Sequence, residues 1–168
     1  LDLSGAPGLK YLELSDNNMT NLNLSAFGKL EFFFINNNPQ FNTAIFVDGN
    51  KNMKQISMDN CDIAHFYPVS LPNLLNLSIV NGSLMDIELG ENYPKLMTLN
   101  LSGNKYLEAV DLTKSLDLYT LSLDNTAITE INISQNKELN SINVDNTKIK
   151  KLMVQNCKSI SCIYAKKT

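Results

Sequence analysis

With 168 residues, a net charge of −3 and no arginine, the chain has neither the basic excess nor the guanidinium forks that read phosphates and base edges, so nucleic acid is not an expected partner. No apolar run approaches the ~18 residues of a membrane-crossing helix, and this segment is not expected to insert into a bilayer. Cys61, Cys157 and Cys162 form no C-x-x-C pair, which argues against a zinc site and a dense disulfide framework; no cofactor is expected.

The chain opens inside a repeat. Leu1-Asp2-Leu3-Ser4 matches Leu22-Asn23-Leu24-Ser25 one coil later, so the natural start is expected upstream of Leu1. From Leu9 onward one phrase recurs: apolar, two variable residues, apolar, variable, apolar, two variable, then Asn, Cys or Thr. It begins at Leu9, Leu30, Met53, Leu74, Leu96, Leu118 and Leu139, and an eighth starts at Ile160, at spacings of 21 to 23 residues. A fixed period of that size means a solenoid whose coils must stack to bury their apolar faces. One domain over residues 1–168 follows, with about seven full coils and no linker.

Counted from the first apolar residue of each coil, position 4 reads Leu12, Phe33, Ile56, Leu77, Leu99, Leu121, Ile142, Ile163. Position 6 reads Leu14, Ile35, Met58, Ile79, Leu101, Leu123, Val144, Ala165. Alternation of period two predicts one short strand per coil in a parallel sheet. Position 9 reads Asn17, Asn38, Cys61, Gly82, Asn104, Thr126, Thr147, small polar groups suited to the backbone left open where the chain turns from the strand. Gly82 breaks the column, and Asn81 is expected to take over part of its task.

A second apolar pair follows at Leu22/Leu24, Ile45/Val47, Ile87/Leu89, Val110/Leu112, Ile131/Ile133 and Leu152/Val154. Its spacing of two predicts an extended or strand-like opposite side rather than helices. Two coils depart from the pattern. The 23-residue second coil pushes Pro39-Gln40-Phe41 into its turn and predicts a bulged loop over 39–43, and in the third coil Phe66 followed by Pro68 predicts interrupted pairing.

The strand motif, as in Leu96-Met97-Thr98-Leu99-Asn100-Leu101-Ser102-Gly103-Asn104, resembles that of the leucine-rich repeat family over essentially the whole chain. The short coils with a second Leu-x-Leu-Ser element look most like bacterial surface repeats of the internalin-like type, and an Asn-, Lys- and Ile-rich composition agrees with an AT-rich bacterial genome. The resemblance implies a repeat solenoid, a right-handed superhelix with a parallel β-sheet on one face and little helix, whose strand face usually binds a protein ligand. It implies an extracellular or cell-surface location.

Binding residues are then expected among positions 3, 5 and 7, most of which are Ser, Thr and Asn. The exception is Tyr11, Phe32 and Phe34, which should lie together and face outward, bordered by Glu13, as an anchor of the kind interfaces favour. A missing preceding coil or domain could equally cover them. Asp124 and Asp145, in one column with Asp59, could hold Ca²⁺ or act as an acid/base pair. Side-chain to backbone bonding in the Asp-Asn turns explains both more simply.

His65, the single histidine, has no nucleophile beside it and reads as a surface residue. Six Asn-x-Ser/Thr triplets, at Asn18, Asn23, Asn76, Asn81, Asn100 and Asn132, arise mostly from the repeat itself. Sugars on Asn76 and Asn100 would crowd the strand face, which favours an unglycosylated bacterial chain. The expected function is a non-catalytic protein-binding or adhesive module. The alternatives are an architectural stalk and a carbohydrate-active enzyme on a parallel β-helix.

Overall fold

The computed structural model describes residues 3, 5–46, 48–67 and 70–168. The start of the Leu1–Ser4 match, Val47 and Pro68 lie outside those residues. In chain order the strands are β1 (Tyr11–Glu13), β2 (Asn21–Asn23), β3 (Phe32–Phe34), β4 (Thr43–Ile45), β5 (Gln55–Ser57), β6 (His65–Phe66) and β7 (Asn76–Ser78). There follow β8 (Asp86–Ile87), β9 (Thr98–Asn100), β10 (Thr120–Ser122), β11 (Glu130–Asn132), β12 (Ser141–Asn143), β13 (Lys151–Met153) and β14 (Cys162–Tyr164). Among the described residues helix is confined to two single 3-10 turns, Asp48–Asn50 and Gly90–Asn92.

Each coil gives one front strand at positions 3 to 5, and these pair in parallel in the order β1-β3-β5-β7-β9-β10-β12-β14. Position 4 points inward, so Phe33, Ile56, Leu77, Leu99, Leu121 and Ile142 are buried in one core with their position-6 neighbours. The eighth phrase departs: Ile163, on edge strand β14, is 46% exposed because a single neighbouring coil covers it. Leu121 is fully buried between coils. Leu121→Ala is expected to cost about 2 to 5 kcal/mol, read as a lowered midpoint in urea, because a packed repeat collapses only partly around the lost side chain.

Beyond the strand the backbone is satisfied by rule. The N–H of position 6 donates to the position-5 carbonyl of the next coil, as Ile35 to Ser57, and that of position 8 to the next position-7 carbonyl, as Asn60 to Val80. Position 7 lies between these ladder bonds, and at Ser15, Asp59, Val80, Ser102, Asp145 and Lys166 a side chain takes its N–H instead. Asn36 accepts from the N–H of Asp59, Asp59 from Val80, and Asp145 from Lys166. Glu13, Asn100 and Asn143 accept from position 7 of their own coil.

Position 8 is left-handed in every coil: Asp16, Asn37, Asn60, Asn81, Gly103, Asn125, Asn146 and Lys167 all have φ between 54° and 77°. Asn, Asp and Gly tolerate that region best, which explains a column the repeat phrase leaves as variable. The amides of Asn37, Asn60 and Asn81 each bond the rung before, and the ladder stops at Gly103, where a Cβ would lie 2.1 Å from Asn81 Oδ1.

Position 9 works across coils. The Asn38 amide donates to the carbonyls of Leu14 and Ile35, and that of Asn104 to Ile79 and Leu101. This corrects the expectation for Asn81, which faces the outer ladder. It is Asn104, one coil on, that satisfies Ile79, and Gly82 leaves room for it, since a Cβ there would meet Asn104 Oδ1 at 3.1 Å. A second buried amide column lies at the opposite corner, where Asn50 donates to Leu24 and Phe27 and Asn136 to Leu112 and Ser115.

Among the described residues the opposite side is strand-like, as the period-two spacing predicts, but in three separate pairs, β2-β4, β6-β8 and β11-β13. Pairing breaks between β4 and β6, at the junction with the proline-bearing coil. The pair assigned to coil two needs correction. Leu22 lies opposite Ala44, not Ile45. The inward residues are Ala44 and Phe46, and Ile45 is 47% exposed.

The cause is one extra residue after Asn38. Pro39 and Gln40 form a turn, Phe41 N–H bonds Asn38 O, and Phe41 folds fully into the core instead of bulging outward. The same insertion recurs at Asn104-Lys105-Tyr106-Leu107, where Leu107 is the buried residue.

Candidate functional site

The front sheet presents positions 3 and 5 outward. In its first two strands Tyr11 lies opposite Phe32 and Glu13 opposite Phe34. The Tyr11 ring centroid is 6.2 Å from Phe32 and 5.4 Å from Phe34, within the range of favourable aromatic pairs. Tyr11 is 56% exposed and the two phenylalanines are half-buried, so the three expected residues form one outward cluster. Glu13 borders it, but its Oε1 accepts from the Ser15 N–H at 2.9 Å, the backbone task that Asn100 and Asn143 perform in their own coils.

Beside the cluster, at position 2, Glu31 bridges Lys10 at 3.3 Å and Lys54 at 2.6 Å. The hydrogen bonds from Lys54 and then Lys10 hold the Glu31 carboxyl below the usual carboxylate range. In later coils the same column turns apolar as Leu75, Met97 and Tyr119, the last two nearly half-exposed. With Lys95, Asp117 and Glu138 they line a shallow depression of about 410 Å³. Position 2 lies outside the positions 3, 5 and 7 at which binding residues are expected. Its signal is the change from Lys-Glu-Lys to Leu-Met-Tyr down one column.

The aspartate column serves the coils. Asp124 Oδ1 accepts from the Ser102 hydroxyl at 2.6 Å and the Asn143 amide at 3.1 Å, and Oδ2 from Asn125. Asp145 accepts from Lys166 N–H, and Asp59 from Ser78 and Val80. The turn explanation needs correction: the partners of Asp124 are side chains, and Asp145 does bond a backbone N–H, but one on the next coil rather than in its own Asp-Asn turn. Among the described residues no group of three or more His, Cys, Asp or Glu converges as a metal cradle.

His65 is more than an isolated surface residue. Its Nδ1 lies 2.9 Å from Asp86 Oδ1, its opposite number on β8, and the same carboxylate accepts from Tyr67, whose ring stacks on the imidazole at 5.8 Å. The bond from Tyr67, then that from His65, lowers the Asp86 carboxyl, while Asp86 raises the Tyr67 hydroxyl. The group borders a cleft of about 460 Å³ where β4 and β6 part. Asp86 is recognisable only once both are counted at position 13 of successive coils.

No family model matches the sequence, and no curated protein matches it. Among solved structures, the chain is similar to the functional domain of InlJ from Listeria monocytogenes, which includes a cysteine ladder: 20% identity, TM-score 0.53, 98% of this chain against 51% of that one. It is also similar to a leucine-rich repeat protein of Leptospira interrogans, at 18% identity and TM-score 0.62, covering 96% of this chain and 50% of the other. This chain thus spans about half the length of either. At these identities the likeness concerns the fold, and it agrees with the stacked coils: the chain has the leucine-rich repeat solenoid fold.

Proposed function

We propose that this chain is a protein-binding module of an exported bacterial surface protein, non-catalytic, engaging its ligand through the strand face. The observation that carries the reading is the outward cluster of Tyr11, Phe32 and Phe34, three aromatic rings on one patch where most of the rest of the face is Ser, Thr and Asn. The apolar column Leu75, Met97 and Tyr119 supplies a second contact area on the same side. Internalin-type relatives in fold support a location outside the cell.

A stalk is the second reading, favoured by the coils between. There the outward hydroxyls and amides are bonded to one another, Ser57 to Asn36, Ser78 to Asp59 and Ser102 to Asp124. Such groups have less to offer a ligand. Phe32→Ala with Phe34→Ala separates the two readings in a pull-down from host-cell surface extract. A binder loses its specific band at unchanged melting temperature. A stalk whose patch is covered by another segment keeps its interactions and merely aggregates less.

A further inference from the structure

Charge is unevenly distributed along the chain. Residues 1–145 hold eight lysines and all 17 acidic residues, and residues 146–168 hold six lysines and no acid, so −9 and +6 lie behind the net −3. All six of those lysines are exposed. Lys148, Lys166 and Lys167 fall on the edge where each coil turns away from the front sheet, together with Lys105 of coil five.

On that edge Lys105 and Lys148 line a depression of about 470 Å³ with the exposed amides of Asn81, Asn125 and Asn146. Lys167 stands one rung beyond Asn146, in the same left-handed column. No acidic side chain lines the depression. The nearest carboxylates in sequence already have partners, Asp124 in Ser102, Asn143 and the Asn125 amide at the rim of the depression, and Asp145 in Lys166 N–H. Glu108 and Glu130 line a separate depression that shares Ala127 and Lys148 with this one.

We propose that this turn edge binds an acidic polysaccharide, with ammonium groups on the sugar carboxylates and the asparagine amides on the hydroxyls. Coils stack ~4.8 Å apart, so Lys105 and Lys148, two coils distant with Ala127 between them, place positive charges ~10 Å apart along the edge, a separation an extended polymer can span. Single-stranded nucleic acid fits less well, because no aromatic side chain lines the depression to stack a base and the chain has no arginine. A membrane surface fits less well, because no apolar side chain larger than Ala127 lines it.

The test is retention of the purified chain on immobilised polygalacturonate, with dextran as the neutral polymer and oligo-dT and phosphatidylserine vesicles as competing polyanions. Binding to polygalacturonate that weakens with salt, absent on dextran, is expected, and Lys105→Gln with Lys148→Gln should weaken it about tenfold. Lys150→Gln with Lys151→Gln removes the same charge from the opposite side of the coil and should leave affinity within about twofold. Equal loss from both pairs would reduce the effect to net charge, and tighter binding to oligo-dT or vesicles would assign the edge to another partner. Either outcome, or no retention at all, overturns the proposal.

Discussion

Replacing Asn104 with Ala is expected to destabilise the solenoid by roughly 3 kcal/mol or more, because one buried side chain serves three backbone groups and each orphaned group costs ~1 to 3 kcal/mol. Its amide donates to Ile79 O at 2.7 Å and Leu101 O at 2.9 Å, while its oxygen accepts from Leu84 N–H at 3.1 Å. Two of the three partners belong to the preceding coil, where Gly82 has no side chain to offer. Asn104→Asp should be at least as damaging at neutral pH, since a carboxylate cannot donate to either carbonyl and would be buried as a charge. Thr126→Ala, which removes one bond to Leu123 O, should cost only about 1 kcal/mol. Urea unfolding followed by circular dichroism measures all three; equal costs for Asn104→Ala and Thr126→Ala would show that the inter-coil bonds carry no weight.

The contrast explains why some of this architecture can be read in the sequence and some cannot. Positions 4 and 6 are legible because burial imposes one chemistry on every coil, from Leu12 through Val144. Position 8 hid in plain view: its constraint is a backbone angle, which Asp16, Asn37, Gly103 and Lys167 meet with different side chains. The slip at Ile45 has another origin. A one-residue insertion after Asn38 moves the pleat by one, so the side chains of β4 change face, and two apolar residues at the same spacing of two, Ile45 and Val47, conceal the shift.

The candidate site divides in the same way. Tyr11, Phe32 and Phe34 stand out because they break a Ser/Thr/Asn face within two adjacent coils. The column Leu75, Met97, Tyr119 does not, since apolar residues one place from a buried strand read as core until their exposure is known. His65 and Asp86 are 21 residues apart and meet only through the register of β6 with β8. Cross-coil partners become visible when positions are compared down columns as well as along the chain.

On the side opposite the front sheet the described strands do not pair between coils two and three, side chains pack across the gap instead, and Phe66→Ala is expected to cost about 3 to 5 kcal/mol. Phe66 packs edge-on against Phe46 at 5.9 Å and stacks on Tyr93 at 6.5 Å, in a run that continues from Phe46 to Phe33 at 6.3 Å. Four aromatic rings thus link coils two to four inside the solenoid. On the side where β4 and β6 part, Phe46 and Phe66 both line the cleft, so truncating Phe66 would widen an existing opening instead of leaving a closed void.

Stability in a solenoid is approximately a sum of coil and nearest-neighbour terms, so the damage should concentrate at that junction. Hydrogen exchange should show amides of coils two to four losing protection before those of coils six and seven, with the melting transition broadened as the two ends uncouple. Phe34→Ala, on the outward face, should shift the midpoint by far less. If Phe66→Ala instead lowered protection evenly along the chain, the junction would be no weaker than the rest and the coils would unfold as one cooperative body.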